Sequence, residues 1–335
     1  MTAFELYLRR HSAKFDAYLA TFFRDGSHPD MRRYLYGPLS TYTANAGKRH
    51  RPLICLLACE AVGGDASRAR TSAAAIEHFH TAALIHDDIM DSSLTRRGLP
   101  CLHVVEGEGL AINAGDLALS LVTGTVVDDD KLEPALRLRV LKELVDMTTR
   151  TIEGQALDIG WARDDRFDLS VDDYLLMANH KTAFYSGAVP LAIGAIVGGG
   201  TEEQVAALRG FGLAAGLAFQ IQDDVLNLVG KREATKKDYR SDLTEGKRTL
   251  AAVHALQHSL KRERLRDILA SRTEDPALLQ EAVDIMAEAG SLDYARAYAR
   301  DLVLSAKVGL QDALPKTRAR DLLLSMGDFF VERDS

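Results

Sequence analysis

Along most of the chain apolar residues recur every three or four positions, the spacing that gathers them on one stripe of an α-helix. Stop signals fall where each stripe ends. Pro52 opens one segment that closes near Gly63-Gly64, with proline in the first turn and glycine just past the last. Asp65 or Ser67 then caps a long helix through Ile76, Phe79, Leu84 and Ile85 to Asp91, and Arg96-Arg97-Gly98-Leu99-Pro100 breaks it. Further helical stripes cover 110–127, 133–160, 171–185, 201–228, 249–258, 276–289, 291–308 and 317–330. No run shows the period-two alternation of a strand, so the pattern predicts an all-α protein. Neither a Pro/Ser-rich linker nor a fixed-period repeat divides the sequence, and one domain spanning 1–335 is the expectation.

Composition strengthens the helical reading. Hydrophobic residues make up 47% and aromatics only 7%, with Ala and Leu, strong helix formers, dominating. The net charge of −7 argues against a general nucleic-acid binder, which carries a basic face. Cys55, Cys59 and Cys101 lack a paired metal spacing, Cys55 and Cys59, four apart in an apolar helix, read as core thiols, and a reducing cytoplasm is the expected compartment. The N-terminus carries charge within a few residues, so no signal peptide is expected. The longest apolar runs, 117–127 and 187–199, are too short to span a bilayer, so no integral membrane segment is expected either.

Candidate chemistry lies in two acidic stretches set in apolar helical segments, His86-Asp87-Asp88-Ile89-Met90-Asp91 and Gln220-Ile221-Gln222-Asp223-Asp224-Val225-Leu226-Asn227. On helices, Asp87 and Asp91 share a face, as do Asp223 and Asn227. Like charges at that spacing destabilise a helix by roughly 0.2–0.5 kcal/mol, so a compensating cation is implied. Hard oxygen ligands without cysteine point to Mg2+, which shares its shell with phosphate oxygens. Basic groups cluster near segment ends: Gly47-Lys48-Arg49-His50-Arg51-Pro52, Thr95-Arg96-Arg97-Gly98, Lys181-Thr182 and Gly246-Lys247-Arg248-Thr249. Paired arginines can fork onto phosphate oxygens, and a helix start favours an anion. Taken singly, each of these is more ordinarily a solvated face or a helix exit, and their combination is what points to a diphosphate.

Those motifs, with Phe219-Gln220-Ile221-Gln222-Asp223-Asp224 and Asp242-Leu243-Thr244-Glu245-Gly246-Lys247, occur in the order seen in trans-isoprenyl diphosphate synthases, and the chain resembles that family over roughly residues 40 to 260. The resemblance implies the isoprenoid synthase fold, a helical bundle around a deep cavity across which the acidic motifs face each other. It implies that Asp87, Asp91 and Asp223 bind Mg2+, three ions with substrate bound, with Asp242 acting through water. Asp87, Asp88, Asp91, Asp223, Lys181 and Lys247 are then the catalytic set. Arg96, Lys181, Lys247 and Lys237 hold an allylic diphosphate (dimethylallyl, geranyl or farnesyl), assisted by Thr182 and Gln220, and Lys48, Arg51, His80 and Arg97 hold isopentenyl diphosphate. Family likeness also implies a homodimer.

Asn227 departs from the family's usual aspartate, which removes one charge from the second motif and leaves its own role as a metal ligand open. Product length is read from the helix entering the first motif. Ala83 and Ala82, four and five residues before Asp87, leave the first turn open, and Phe79 forms a floor about one turn, roughly 5 Å, deeper. In family terms this suggests geranylgeranyl diphosphate. A longer-chain synthase, a class I terpene cyclase and a non-catalytic subunit of a heteromeric synthase are the alternatives. The last two would be expected to lack the second basic site or one acidic motif.

Overall fold

The structure, a computed structural model, describes residues 1–45, 47–230 and 240–332. In chain order its α-helices are α1 (Ala3–Leu19), α2 (Pro29–Met31), α3 (Gly37–Ala44), α4 (His50–Ala61), α5 (Arg70–Met90), α6 (Leu102–Glu106), α7 (Glu108–Val127), α8 (Pro134–Arg163), α9 (Val171–Ala178), α10 (Val189–Val197), α11 (Glu202–Val229), α12 (Ser241–Thr244), α13 (Leu250–His258), α14 (Arg262–Ser271), α15 (Pro276–Glu288), α16 (Ser291–Ala313) and α17 (Arg318–Glu332). The protein is all-α, as the periodicity predicts.

Local chemistry sets the helix starts. Thr2 and Glu5 form a reciprocal capping box on α1, and Ser170 and Asp173 form another on α9. Asp65 accepts the Ser67 N–H at 2.8 Å and opens a 3-10 turn (Ala66–Ala69) that runs into α5. Three features depart from the sequence pattern. Helices α1 to α3, α6, α12 and α14 are additional, because short or charge-rich segments give weak apolar stripes. The stretch 171–185 is not one α-helix, since the backbone widens into a π-helix over Asn179–Ala188. The expected break after Asp91 contains a hairpin, β1 (Thr95–Arg96) against β2 (Leu99–Pro100), with Arg96 opposite Leu99. Its two-residue loop, Arg97-Gly98, has φ of 56° and 79°, the signature of the tight turn whose twist suits a hairpin.

The chain divides into two compact units. The first comprises Met1–Thr148, Val189–Arg209 and Leu310–Met326, and the second comprises Thr149–Ala188, Gly210–Gly309 and the stretch from Gly327. In the first, α10 lies so close to α4 that a Cβ on Gly194 would fall 2.1 Å from the Cys55 carbonyl oxygen. α5 packs on α7 through small residues: Ala82 and Ile85 meet Ala111, Ala114 and Ala118, with Leu39, Tyr42 and Leu102 closing the cluster. In the second unit Tyr174, Ile221, Val225, Val253, Ala295 and Ala299 form one core, and Leu228, Leu243, Leu265, Ile268, Ala282 and Met286 form another.

Length and composition of whole helices add to the reading of apolar runs. α7 and α11 are each long and apolar enough to cross a bilayer, because the apolar run in α7 starts well before residue 117; in their most apolar windows 39% and 50% of the residues are buried inside the protein.

His78 on α5 is 1% exposed and packs edge-on against Phe22 and Phe23, with ring centroids at 5.2 and 6.0 Å. Burial pushes its pKa down to about 4. The folded-state value lies below the unfolded one, so the unfolded chain takes the proton first as pH falls. Stability from this group is therefore intact above about pH 6.5 and lost toward pH 4, by about 3 kcal/mol in all. Urea unfolding between pH 7 and 4 measures this. His78→Phe is expected to flatten the pH slope, and an unchanged slope would assign it to other groups.

Candidate functional site

In the first unit the end of α5 carries Asp87 and Asp88 one after the other, and a helix turns them about 100° apart. Asp87 is half-buried; Asp88 is 1% exposed. Asp88 accepts the Tyr42 hydroxyl at 2.7 Å on one oxygen and Arg96 Nε at 2.6 Å on the other. The same guanidinium reaches Asp87 through Nη2 at 3.4 Å. These carboxylates hold the Arg96 pKa above its usual range despite burial, and burial beside Asp88 drives the Tyr42 phenol up, so Tyr42 keeps its proton as the donor. Asp91 closes α5, its N–H bonded to the Asp87 carbonyl at 2.8 Å. On α7, a Cβ at Gly115 would fall 2.3 Å from His86 Nε2, so the turn before Asp87 lies flush on α7.

The two arginines of the hairpin do not fork together. Arg96 turns to the acidic pair, whereas Arg97 donates to the Asn45 carbonyl at 2.7 Å, and burial lowers its pKa. Arg51 is buried and donates to His80 Nε2 at 3.1 Å. A guanidinium has only donors, so His80 accepts there as a neutral ring, in line with burial and the nearby arginines holding its pKa well below normal. Lys48 is exposed on the loop before α4. That loop is pinned by Arg49, which the sequence left without a role. Its side chain is 2% exposed, and it pairs with Glu77 at 2.6 Å and Asp16 at 2.5 Å and donates to the Thr43 carbonyl. Arg49 also adopts φ 50°, a left-handed conformation that a side chain of its size tolerates when such contacts fix it.

Below Asp87 on α5, Ala83 is half-buried, Phe79 is 3% exposed and Ala82 is fully buried. The two alanines thus differ. Ala82 belongs to the packed contact with α7, while Ala83 and Phe79 follow Asp87 at four-residue steps along one face.

The second unit holds the second motif on α11. Asp223 is half-buried, and Asp224 is buried, accepting the Tyr174 hydroxyl at 2.8 Å and Gln220 Nε2 at 2.6 Å. Burial, with Asp242 and Asp223 nearby, raises the Asp224 pKa well above the carboxylate range. Gln220 in turn accepts the Thr182 hydroxyl at 2.7 Å. Thr182 and Gln220 are therefore bonded to each other in a chain ending on Asp224. Lys181, one residue earlier in the π-helix, pairs with Asp158 of α8. A Cβ on Gly154 would sit 2.2 Å from the Lys181 nitrogen, and one on Gly212 would sit 2.4 Å from the Gly187 carbonyl, so α8 and α11 grip the π-helix backbone where it changes pitch. Such a local widening re-aims side chains.

Asn227 reaches a neighbouring element. Its carbonyl accepts the Asp242 N–H at 3.3 Å and its amide donates to Ser241 Oγ at 3.2 Å, capping α12 from outside. Lys247 lies 3.8 Å from Asp242 and pairs with Glu245. Arg248 clamps this turn, donating to the Arg166 carbonyl at 2.6 Å and lying 4.1 Å over the Phe167 ring, and burial pushes its pKa down to about 10. Lys237 lies outside the described residues.

Among the described residues, no three His, Cys, Asp or Glu side chains form a ready-made metal cage. The donors are aspartate oxygens in ones and twos, which fits Mg2+, an ion that retains water and completes its shell with a substrate's phosphates. Sequence reasoning missed Tyr42, Glu77, Asp158 and Tyr174. In a sequence a lone Tyr on a helical stripe reads as core, and nothing short of the fold brings these residues to the motifs.

Comparison with known proteins follows the same line. Residues 32–286 match the polyprenyl synthetase family. A short chain isoprenyl diphosphate synthase of Methanothermobacter thermautotrophicus is 42% identical over 291 residues, covering 86% of this chain and 87% of that protein. A geranylfarnesyl diphosphate synthase of Natronomonas pharaonis is 39% identical over 314 residues, covering 88% and 89%. The crystal structure of a geranylgeranyl pyrophosphate synthase from Corynebacterium glutamicum, complexed with isoprenyl diphosphate and magnesium, superimposes with a TM-score of 0.86 at 28% identity, covering 99% of both chains.

Replacing Asn227 with aspartate removes the donor to Ser241 and sets a charge beside Asp242. Asn227→Asp is expected to lower stability by about 1–3 kcal/mol in metal-free buffer. An unchanged urea midpoint would mean that the amide does not brace α12.

Proposed function

The chain belongs to the polyprenyl synthetase family and is a prenyltransferase that makes trans-prenyl diphosphates, and on that premise we propose that it joins isopentenyl diphosphate to an allylic diphosphate to give geranylgeranyl diphosphate. The observation that carries this reading is the pair of acidic motifs, each bearing a half-buried first aspartate and set among committed cations. Asp87, Asp91 and Asp223 hold Mg2+, which when bound supplies positive charge against the departing diphosphate. In the first unit Arg96, and in the second Lys181 and Lys247, are the cations for allylic diphosphate, each paired at its charged head with a carboxylate: Asp88, Asp158 and Glu245. Lys48, Arg51 and Arg97 bind isopentenyl diphosphate, and neutral His80 orients Arg51.

The reaction breaks the allylic C1–O bond, and the electron pair leaves with pyrophosphate. The isopentenyl double bond attacks C1, and loss of a proton to the leaving pyrophosphate restores neutrality. Fixed cations lower the barrier by stabilising developing charge, and holding two substrates together removes much of the entropic cost. The number of ions, three by family likeness, belongs to the same proposal.

Geranylgeranyl length is supported by the face of α5 below Asp87, which carries half-buried Ala83 and then buried Phe79 at successive four-residue steps. A homodimer is supported by α8, whose Leu138, Val145, Ile152 and Ile159 recur every seven residues and are 55%, 57%, 60% and 38% exposed. A second copy of the chain covers this stripe. Val145→Asp is expected to give a monomer by sedimentation velocity, and a dimer that persists would place the interface elsewhere.

Incubation of the purified protein with Mg2+, isopentenyl diphosphate and dimethylallyl, geranyl or farnesyl diphosphate, followed by product sizing, tests the function. Elongation ending at twenty carbons is expected, with loss of activity when Mg2+ is chelated. Cyclic hydrocarbon without elongation, or no turnover, would sink the reading in favour of a cyclase or a non-catalytic subunit; products beyond twenty carbons would leave the reaction and correct the length. Phe79→Ala is expected to lengthen the product, and an unchanged product in a folded variant would remove Phe79 as the floor.

A further inference from the structure

We propose that Tyr42 and Tyr174 are positioning residues for the two acidic motifs, each hydroxyl holding the second carboxylate of its motif turned into the protein so that the first is the one presented to metal and diphosphate. The inference rests on the prenyl-transfer reading above and adds to it two residues that the sequence did not single out.

The same device occurs in each unit, built from different elements. Tyr42, on α3, is 8% exposed and donates to Asp88; Tyr174, on α9, is fully buried and donates to Asp224. In both cases the other carboxylate oxygen also has a donor: Arg96 Nε for Asp88, and Gln220 Nε2 for Asp224. Both oxygens are thus engaged below the surface, and turning either carboxylate outward would strand a buried hydroxyl along with the second donor.

The device has a chemical reason. Adjacent aspartates at the end of a helix can both be drawn toward one dication, which would give a tighter cage but a variable one. Anchoring the second aspartate removes that freedom. In the first unit it also sets Arg96, since the guanidinium that grips Asp88 is the one lying 3.4 Å from Asp87. In the second unit the chain continues from Asp224 through Gln220 to Thr182, the neighbour of Lys181, so the anchored carboxylate braces the segment that carries a substrate cation. The two anchors differ in charge. Asp88 is matched by a cation, whereas Asp224 is held by neutral donors alone, so Tyr174 has the larger share of its work.

Tyr42→Phe and Tyr174→Phe, made singly in the full chain, keep the ring and remove the donor. Calorimetric titration with pyrophosphate at fixed Mg2+ reads the site without turnover. Each variant is expected to bind roughly 10- to 100-fold more weakly, the usual range for groups that orient metal ligands. In kinetics the KM for the allylic substrate rises while that for isopentenyl diphosphate stays within about twofold, a split that general loosening of the fold would not produce. Wild-type pyrophosphate affinity in both folded Phe variants, or equal weakening toward both substrates, would overturn the proposal. If a Phe variant does not fold, 4-aminophenylalanine at that position restores an N–H donor: recovered affinity supports the anchor, and lost affinity in a folded protein overturns it. A wild-type protein that binds Mg2+ and pyrophosphate but elongates nothing would defeat the prenyl-transfer reading alone.

Discussion

Burying a charged group is tolerable only when its hydrogen bonds and its charge are both met, and the arrangement around the acidic motifs follows from that constraint. Asp88 is inside the first unit and needs two donors, which obliges Tyr42 on α3 and Arg96 on the hairpin to come to it. Arg49 is inside as well, and its demand is met by Glu77, Asp16 and the Thr43 carbonyl. Both networks end at α3 and α5. The helix with the first acidic pair, and the loop of Lys48 that leads into α4 and Arg51, are therefore fixed by buried polar contacts that share α3 and α5, and whose geometry is narrower than that of an apolar core.

Much of this was legible in the sequence, for reasons that differ by feature. The long helices were readable because burying one stripe imposes a period that any sequence must show, as α5 and α7 do. The acidic and basic motifs were readable because their spacing is local: Asp87 and Asp91 share a face in any helix. The partners were not readable. Tyr42 lies 46 residues from Asp88, and Tyr174 lies 50 from Asp224, and neither tyrosine carries a local mark that separates it from core packing. The hairpin at 95–100 was hidden because strands of two residues are too short to show alternation, although Arg97-Gly98 is a fair signal for a turn. The π-helix around Lys181 was hidden too, and the backbone that approaches it closely, at Gly154 and Gly212, comes from other helices.

The distinction between Ala82 and Ala83 shows what three dimensions add to a spacing rule. In sequence they are equivalent small residues above Phe79, and both read as room for a growing chain. On the helix they point about 100° apart, too far to serve one purpose. Ala82 is what lets α7 approach α5, against Ala111, Ala114 and Ala118. A larger residue there would first displace α7, whereas at Ala83 it would first fill the face that Asp87 continues.

Asn227 gives the clearest case of a substitution whose meaning depends on its neighbour. Judged as a ligand, it is an aspartate with a charge removed. Judged by its contacts, it gains something aspartate lacks, an N–H donor, and uses it on Ser241 while its carbonyl caps the Asp242 N–H. A carboxylate could still accept the Asp242 N–H and, with the hydroxyl turned round, the Ser241 O–H, but it could not donate and would add a negative charge near Asp242. The amide thus trades a second-motif charge for a fixed α12, and what it fixes is the backbone of another carboxylate. The second motif is reduced in charge at residue 227, and in exchange the backbone at residue 242 is held by a defined hydrogen bond.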